Sequence, residues 1–485
     1  MYTFSSKLKT FSFILMAVGL LGIGYGFYTA PKDIQEVEKI LAAESHGGHG
    51  EAKHEVAAES EEAHAVIEDH KEVDAAVEAG DTSTMVDSNS EVATNVAPVE
   101  AHAVAESHSE VGAAAEHEEH LTHVLHELQN KPWAALYVAC IFFLLISMGV
   151  LAFYAIQQVA SAGWSPVLFR VMQGITAYLP WGSVIFFVIL ILCGLHFNHL
   201  FIWLDPEVVA HDKLIATKSG YLNFPFWIAR AAVFLIGWNL YRYYSAKNCL
   251  AQDESKDDSF YKKNFNISAG FLVFFIVTES IMSWDWIMSV DPHWFSTLFG
   301  WYVFASFFVS GITMIALVSL YLKSRGFLEY VNTSHIHDLA KFMFGFSIFW
   351  TYLWFSQFML IWYANIPEEI TYFITRIELY NLPFFGAVVM NFVFPILILV
   401  NTDFKRITWV LVMAGVVILA GHYIDFFNMI MPGTVGGRWF IGVSEIASVL
   451  FFLGLFIFVV FTALTKAPLL PKRNPFIEES KHFHY

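Results

Sequence analysis

The sequence contains little cysteine and little charge. Of its 485 residues three are cysteines and 15% are charged, whereas 56% are hydrophobic and 17% are aromatic. Cys140 and Cys193 lie inside apolar runs and Cys249 lies in a polar stretch, so CxxC, CxxCH and iron–sulfur spacings are excluded. A disulfide-rich secreted scaffold is excluded for the same reason. The sequence also lacks a basic stripe, which excludes a nucleic-acid-binding protein.

The acidic residues are concentrated in one segment. Residues 44–127 hold 21 Asp and Glu against two Lys, a balance of −19 that leaves +2 of the net −17 for the rest of the chain. The mean hydropathy of the whole sequence is +0.52, which a soluble domain with so few charges does not reach. The composition therefore predicts an acidic tether joined to a nearly neutral, aromatic-rich membrane body.

Long apolar runs account for most of that body. A bilayer core about 30 Å thick requires roughly 20 apolar residues per helix, and ten runs are long enough. We therefore predict an all-α integral membrane protein with about ten transmembrane helices, at residues 10–30, 133–158, 182–203, 223–244, 265–289, 297–322, 339–363, 378–400, 407–430 and 440–465.

The first run requires a choice between an anchor and a signal peptide, because Lys7 and Lys9 precede it. It spans about 20 residues, which is longer than the usual 7–15 of the apolar part of a signal peptide. Tyr28 stands where cleavage after Ala30 would require a small residue. These features favour a retained transmembrane anchor over residues 1–31, with a cleaved signal peptide as the alternative.

Lysine and arginine set the expected orientation. With the N-terminus inside, sixteen of them fall at the cytoplasmic ends of the predicted helices, and four fall in the short outer loops: Lys213, Lys218, Arg376 and Arg438. Cytoplasmic loops carry the excess of positive charge in membrane proteins. We therefore predict a multi-pass protein with both termini cytoplasmic and residues 32–130 periplasmic.

Histidine is frequent in the acidic segment, with eleven residues from His46 to His126. A chain of mostly Ala, Glu, Val and His cannot bury enough apolar area to offset its ordering entropy, so we expect residues 32–130 to be largely disordered. Residues 101–130 have a helix-forming composition and could be helical against a partner. His-rich tracts can also bind metals, but no fixed ligand spacing recurs, and a solvated linker is the favoured interpretation.

The second to fifth predicted helices resemble the sixth to ninth. Asp285 and Asp425 each precede a proline by seven residues. Three further matches occur in the same order: 137–143 with 302–308, 200–207 with 359–368, and 223–227 with 381–385. An even number of helices per copy predicts a parallel repeat of two four-helix bundles, residues 131–292 and 293–435. The first helix, and a last helix with its tail at 436–485, are then flanking elements.

Ionisable residues inside the predicted spans are functional candidates, because a charged side chain in hydrocarbon costs at least a few kcal/mol. Counting a rise of about 1.5 Å per residue places eight of them in the outer half of the membrane. They are candidates for proton transfer or for a quinone pocket: His196, His199, Arg230, Glu279, Asp285, His422, Asp425 and Glu445. The alternative is that they are static hydrogen-bonded links between helices.

Spacing predicts different roles for five of these residues. Arg230 requires a partner at its depth, and Glu279, on the following helix at a similar height, is the predicted one. Asp285 lies on another face and is predicted to titrate. His422 and Asp425 are three residues apart, share a helix face and are predicted to pass protons together.

A haem is not expected in this chain. His196 and His199 share one predicted helix face and cannot supply opposite axial ligands, and no second suitable pair is present. We therefore expect no cofactor and no metal bound by this chain. Quinone or quinol stays a candidate ligand, although the aromatic residues are too numerous for a ring-binding pocket to be distinguished from ordinary packing.

Two further groups are expected on the inner side. Small hydroxyl residues line one face of the sixth predicted helix, and ionisable residues lie at the cytoplasmic mouth of the seventh. Together they could form the entrance of a proton route: Ser306, Ser310, Thr313, His335, His337, Asp338 and Lys341. Helix packing and ordinary interfacial charge are the alternatives.

The run from Glu279 to Tyr302 contains Trp-Asp-Trp-Ile-Met followed by Asp-Pro-His-Trp-Phe. It resembles the ActF-type subunit of bacterial alternative complex III, a respiratory quinol:cytochrome c (or other high-potential acceptor) oxidoreductase. The twin-bundle body also resembles the NrfD-like membrane subunit of polysulfide reductase, the family that includes the ActF type and its ActC-type paralogue. The resemblance extends over about residues 130–465 and does not include the acidic segment.

This resemblance implies a subunit of a large complex in the bacterial inner (cytoplasmic) membrane. The implied partners are an ActC-type paralogue, an iron–sulfur protein, and multihaem and monohaem cytochromes c, which would carry the haem c and the iron–sulfur clusters. The family oxidises quinol near the periplasmic face, and its quinol site is best attributed to the ActC type. No catalytic residue is therefore carried over to this sequence.

The expected function is that of a cofactor-free membrane subunit that takes part in proton transfer or quinone binding. A purely structural membrane scaffold is the first alternative. A stand-alone secondary transporter is the second, and it is disfavoured because the polar residues are off-centre and no predicted helix has a Gly or Pro break at mid-depth.

Overall fold

The computed structural model describes residues 2–46 and 101–484, whose regular structure is helical, with no β-strand among them. The chain divides into two compact units: residues 1–30 together with 129–485, and residues 31–128. The expected disorder and metal buffering of the acidic segment fall largely on residues outside the described part and stay predictions.

Long helices joined by short ones make up the described chain. In order they are α1 (Ser6–Thr29), α2 (Ile34–His46), α3 (Ala101–Val159), α4 (Phe169–Thr176), α5 (Leu179–Gly194), α6 (Pro206–His211), α7 (Lys213–Lys218), α8 (Phe224–Gln252), α9 (Ser259–Trp286), α10 (Phe299–Ser324), α11 (Thr333–Ala364), α12 (Pro367–Glu378), α13 (Asn381–Val388), α14 (Phe394–Leu399), α15 (Thr408–Ile430), α16 (Pro432–Val435), α17 (Val443–Leu464) and α18 (Ile477–Lys481). A π-helical turn, Val389–Val393, connects α13 and α14.

In the described residues, nine helical stretches are long and apolar enough to cross a membrane, which confirms the prediction of an all-α integral membrane protein. They correspond to nine of the ten predicted runs. The remaining run forms helix α8, whose 29 residues would be long enough. It is less apolar than the others because it contains Arg230 and Asn239.

One end of the larger unit is held together by the C-terminal tail, residues 466–484, and is called the tail end here. Ser480 Oγ donates a hydrogen bond to the Trp164 carbonyl at 2.7 Å, between the second and third predicted runs. The ring of Tyr2 packs on Phe327 at 5.1 Å. The beginning and the end of the described chain therefore lie on the same side of the helices, although which side of the membrane this is stays a prediction.

The opposite end, the loop end, contains the connections near residues 195–223, 287–298, 365–380 and 431–442. Trp203 Nε1 donates to the Ser289 carbonyl at 3.0 Å, and Trp294 Nε1 donates to the Glu369 carbonyl at 3.2 Å. Helices α3, α8, α10 and α13–α14 run from the loop end to the tail end, and α5, α9, α11 and α15 run back. Each half thus contributes four long helices with the same sequence of directions, as a parallel repeat requires.

Helix α1 packs along α17 through glycines. A Cβ built on Gly19 would lie 2.5 Å from the Phe451 backbone nitrogen, and one built on Gly26 would lie 2.2 Å from Ser444 Oγ. Small residues at such positions let two helix backbones approach closely, which is how helices associate inside a membrane. The first helix is therefore an integral part of the larger unit.

The smaller unit contains α2 and the first part of α3. Its apolar core is formed by Val37 of α2 and by Leu121 and Val124 of α3. The stretch 101–130, for which a helix against a partner was the alternative to disorder, is part of α3, which continues through Pro132 into the second predicted span.

Candidate functional site

Arg230, the arginine inside the fourth predicted run, forms an ion pair with an aspartate. Arg230 Nε and Nη2 donate to the two carboxylate oxygens of Asp285 at 2.6 and 2.9 Å, and the Asp285 side chain is fully buried. The predicted pairing of Arg230 with Glu279 was therefore wrong. Asp285, expected to titrate, instead has a fixed cationic partner in a bidentate geometry.

The chain around this ion pair holds both partners. The Tyr221 hydroxyl donates to Asp285 Oδ1 at 2.8 Å, and the guanidinium of Arg230 lies 4.0 Å from the centre of the Tyr221 ring. Burial, together with the neighbouring Asp285 charge, raises the pKa of Tyr221, so this phenol keeps its proton and stays a donor. Trp227 Nε1 binds the Asp285 carbonyl at 2.9 Å and fixes the end of α9 against α8.

Glu279 lies one to two turns before Asp285 on α9 and is 5% exposed. Its side chain accepts hydrogen bonds from two serines of its own helix, Ser280 at 3.2 Å and Ser283 at 3.4 Å. Among the described residues no cation forms an ion pair with it. An ionised carboxylate buried without a counter-charge costs several kcal/mol, so this surrounding suits the neutral acid.

The aspartate of the second half has a different surrounding. Asp425 on α15 accepts hydrogen bonds from the Tyr302 hydroxyl, from Trp350 Nε1 at 2.8 Å and from Ser306 Oγ at 2.9 Å. Its side chain is 2% exposed. Three neutral donors from α10 and α11 thus take the place that an arginine holds in the first half.

His422 lies one turn before Asp425 and completes this group. Its Nδ1 is 2.9 Å from Ser306 Oγ and 3.8 Å from Asp425 Oδ2, and the side chain is fully buried. Its Nε2 has no hydrogen-bond partner among the described residues. The predicted pairing of His422 with Asp425 is therefore present, and Ser306 bridges the two side chains.

Ser306 was expected at the inner entrance, and the structure corrects this. It is the eighth residue of α10, which begins at the loop end, so it lies about 10 Å from that end and beside Asp425. We call the group formed by Tyr302, Ser306, Trp350, His422 and Asp425 the Asp425 site. Sequence analysis missed Tyr302 and Trp350 as members. The match of Tyr302 with Tyr137 in the repeat was the available signal.

Two positions of the first half that correspond to members of the Asp425 site hold different residues. Tyr137 corresponds to Tyr302, and its hydroxyl donates to the Trp286 carbonyl at 2.7 Å, next to Asp285. Counting along the repeat, however, places Ile141 at the position of Ser306 and Met282 at the position of His422, and both are fully buried. At these two positions the first half therefore has apolar side chains where the second half has the serine hydroxyl and the imidazole.

Three other candidates lie in a loop or at the start of a helix. Helix α5 ends at Gly194, so His196 and His199 lie in the following loop and do not share a helix face, which overturns that prediction. His196 is exposed and has a φ of 59°. The His199 amide donates to Asn130 Oδ1 at 2.9 Å. Glu445 Oε2 accepts from the Gly442 amide at 2.8 Å and caps the start of α17.

The remaining hydroxyl residues of α10 point along its buried face. Ser310 Oγ donates to the Ser306 carbonyl at 2.7 Å. Thr313 Oγ1 is buried and has no hydrogen-bond partner in the described part of the chain, while its methyl group packs against Gly415. With Ser306 they form a row along one face of the helix, directed from the Asp425 site towards the tail end.

The group predicted at the mouth of the seventh run does lie at the tail end, at the start of α11. His335 is fully buried and donates from Nε2 to the Ser480 carbonyl at 3.0 Å, so it binds the C-terminal tail. Asp338 and Lys341 form an ion pair of 3.1 Å, with Lys341 half exposed. His337 is also buried. These contacts anchor the tail and the helix start.

A buried asparagine that sequence analysis did not select lies beside the Asp425 site. Asn391 is fully buried in the π-helical turn Val389–Val393, and its Oδ1 would lie 2.2 Å from a Cβ on Gly421, the residue before His422. Its amide atoms have no partner among the described residues. π-helical turns occur frequently at functional sites, but an Asn in an apolar run gives no sequence signal for one.

Two observations concern ligands. A cavity of about 250 Å³ lies at the tail end, bordered by Tyr2, Phe327, Tyr330 and the tail residues Pro468 and Leu469, and therefore away from the predicted quinone pocket. Within residues 2–46 and 101–484, no group of three His, Cys, Asp or Glu is placed to hold a metal ion.

Comparison with known proteins adds no relative: neither a family model nor a curated protein matches this chain.

Proposed function

We propose that this chain is an integral membrane subunit of a bacterial respiratory quinol oxidoreductase and that it transfers protons at the Asp425 site. The observation that carries the proton-transfer part is a fully buried histidine and a buried aspartate, joined by one serine hydroxyl and surrounded by neutral donors. Groups of this kind inside a membrane mark proton relays more often than packing contacts.

The geometry permits a balanced proton step. When His422 is protonated on both ring nitrogens and Asp425 is ionised, Ser306 Oγ can accept the Nδ1 proton of His422 as its own hydroxyl proton passes to Asp425 Oδ2, which leaves a neutral imidazole and a neutral carboxyl group. The reverse step returns the proton, and the serine ends unchanged. Both contacts of the hydroxyl are 2.9 Å, within the range of a hydrogen bond along which a proton moves.

The neutral donors make this change of charge feasible. Tyr302 and Trp350 donate hydrogen bonds to Asp425 without adding a fixed positive charge, so no permanent counter-ion opposes a change of its charge. In the first half, by contrast, Asp285 has a permanent cationic partner, Arg230. We therefore assign proton transfer to the second half and a structural role to the Arg230–Asp285 pair.

The respiratory part of the proposal is supported by the resemblance of residues 279–302 to the ActF-type subunit. On this proposal the haem c and iron–sulfur clusters belong to partner subunits, quinol oxidation belongs to the ActC-type paralogue, and the present chain lies in the inner membrane with both termini cytoplasmic. In the second form of the proposal this chain binds quinone. The binding site would then be formed by the loop-end residues near the Asp425 site.

Two experiments test the two parts separately. Purification of the tagged chain in mild detergent should recover c-type cytochromes and an iron–sulfur protein; recovery of the chain alone would refute membership of such a complex. In proteoliposomes containing the complex, Asp425→Asn should lower the number of protons moved per electron while electron transfer continues. Unchanged proton movement would leave the structural scaffold as the function.

A further inference from the structure

The tail end of the first half contains a buried polar cluster that the sequence did not reveal. Its centre is Tyr154 on α3, whose hydroxyl oxygen is approached by one donor of the same helix and by donors on three other helices. Gln158 Nε2 lies 2.9 Å away, Gln173 Nε2 3.1 Å, and Ser245 Oγ and Asn264 Nδ2 each 3.2 Å. A phenol oxygen has two lone pairs, so these four donors compete for it.

A small cavity adjoins this cluster. It has a volume of about 10 Å³ and is lined by Gln158, Asn248, Cys249, Asp253 and Asn264, and by Asn474 of the tail. A cavity of roughly this size, about one water-sized sphere, is sufficient for a single water molecule if several polar atoms face it.

Three polar atoms of the lining residues have no hydrogen-bond partner among the described residues. They are Gln158 Oε1, Asn264 Oδ1 and Asn248 Nδ2, and all three atoms are buried. More than nine in ten buried polar groups in proteins are hydrogen-bonded, to protein or to ordered water. Two acceptors and one donor match what a water molecule offers, because it donates twice and accepts as well.

The C-terminal tail borders the site from outside. The Lys472 amide donates to Asp253 Oδ1 at 2.8 Å, and Gln252 Nε2 donates to the Arg473 carbonyl at 3.1 Å. Asp253 is also held by Arg170 Nη2 at 2.7 Å. The tail is thus attached to α8 by hydrogen bonds at the place where the cavity would otherwise meet solvent.

We propose that Gln158, Asn248 and Asn264 bind an internal water molecule under the C-terminal tail. This water completes the hydrogen bonds of the Tyr154 cluster and links it to the tail end. The site is separate from the Asp425 site, lies in the other half of the repeat, and does not depend on the function proposed above.

The chain's three cysteines provide a test in the unsubstituted protein. Each is buried, but only Cys249 is among the residues that line this cavity. X-ray radiolysis generates hydroxyl radicals from bound water, and mass spectrometry locates the side chains that they oxidise. We expect Cys249 to be oxidised several-fold faster than Cys140 and Cys193. Equal rates for the three cysteines would overturn the proposal.

A substitution then distinguishes oxidation by radicals from bound water from oxidation by radicals from bulk water. Leucine has nearly the same volume as asparagine. Asn248→Leu therefore places an apolar group in the cavity without removing a hydrogen bond from the Asn248 amide nitrogen to another described residue. Oxidation of Cys249 should fall in this variant to the rate of Cys140. If Cys249 is oxidised as fast as before, the radicals come from bulk solvent past an opened tail, and no internal water is bound there.

Discussion

Arg230 binds both carboxylate oxygens of Asp285, at 2.6 and 2.9 Å. The equivalent aspartate of the other half, Asp425, is bound by Tyr302, Ser306 and Trp350 instead. One copy of the repeat therefore holds its aspartate by a permanent charge, and the other by neutral donors and a histidine.

Removal of the arginine should destabilise the protein strongly. Arg230→Leu leaves Asp285 as an uncompensated buried charge, at a cost of about 3–5 kcal/mol. We expect a large loss of folded protein and a lower denaturation temperature in detergent. The double variant Arg230→Leu, Asp285→Leu should recover most of the loss, because no charge remains buried. A double variant as unstable as Arg230→Leu would show that the arginine acts by packing alone.

Removal of the bridging hydroxyl should impair proton transfer. In Ser306→Ala the 3.8 Å gap between His422 and Asp425 has no group to relay the proton, so the protons moved per electron should fall. The lost buried hydrogen bonds should cost about 1–3 kcal/mol in stability. Ser310→Ala is the matched control, since among the described residues Ser310 Oγ contacts no side chain of the Asp425 site and donates to a carbonyl of its own helix. A fall of the same size in the control would refute the relay.

The packing of α1 on α17 should depend on single glycines. Gly19→Leu places a side chain 2.5–2.7 Å from the backbone of α17, which cannot move aside, and should cost at least about 1–3 kcal/mol. Gly24→Leu is the control because a Cβ at Gly24 has no atom within 4 Å. Thermal denaturation of both variants in the same detergent measures the difference. Equal denaturation temperatures would contradict the observed helix pairing.

A loop at the loop end should lose stability in acid. Asp212 accepts from the amides of Leu214 and Ile215 at 2.8 and 3.0 Å, and His293 Nε2 lies 2.5 Å from its carboxylate. Burial opposes ionisation, but the bonds from Ile215, His293 and Leu214 outweigh it and lower the pKa of Asp212 below its ordinary 3.8.

The sign of the pH effect follows from that direction. A carboxylate with a lowered pKa contributes stability above its unfolded pKa and loses it as the pH falls through the folded value. Asp212→Asn should therefore reduce stability at about pH 5, and the difference should shrink below about pH 4. Denaturation measured against pH checks this. A difference that grows below about pH 4 instead would place the effect on another group.

The helices were predictable from the sequence, and the partners of the buried charges were only partly so. His422 and Asp425 could be paired because three residues along a helix bring two side chains to the same face. Arg230 and its partner lie on different helices, and similar depth did not distinguish Glu279 from Asp285. That choice depends on the directions of the side chains and on Tyr221, which lies before α8 and outside any apolar pattern.

Two other differences between the prediction and the structure have local causes. His196 adopts a left-handed backbone conformation directly after α5, so the helix ends while the apolar sequence continues. Hydropathy measures the length of the apolar run and does not register such an end. Asn391 could not be identified from the sequence for the opposite reason. Its helix continues, but one π-helical turn changes which side chains face α15.

The contacts of the C-terminal tail also set an order for biosynthesis. The tail joins Gln252 and Asp253 in the first half to His335 in the second, and it follows the helices of both halves in the chain, so it leaves the ribosome after them. The helices of both halves are therefore synthesised before these contacts can form. A truncated product that lacks the last twenty or so residues would have its helices in the membrane but its tail end unjoined, and a protease on that side would distinguish it from the finished protein.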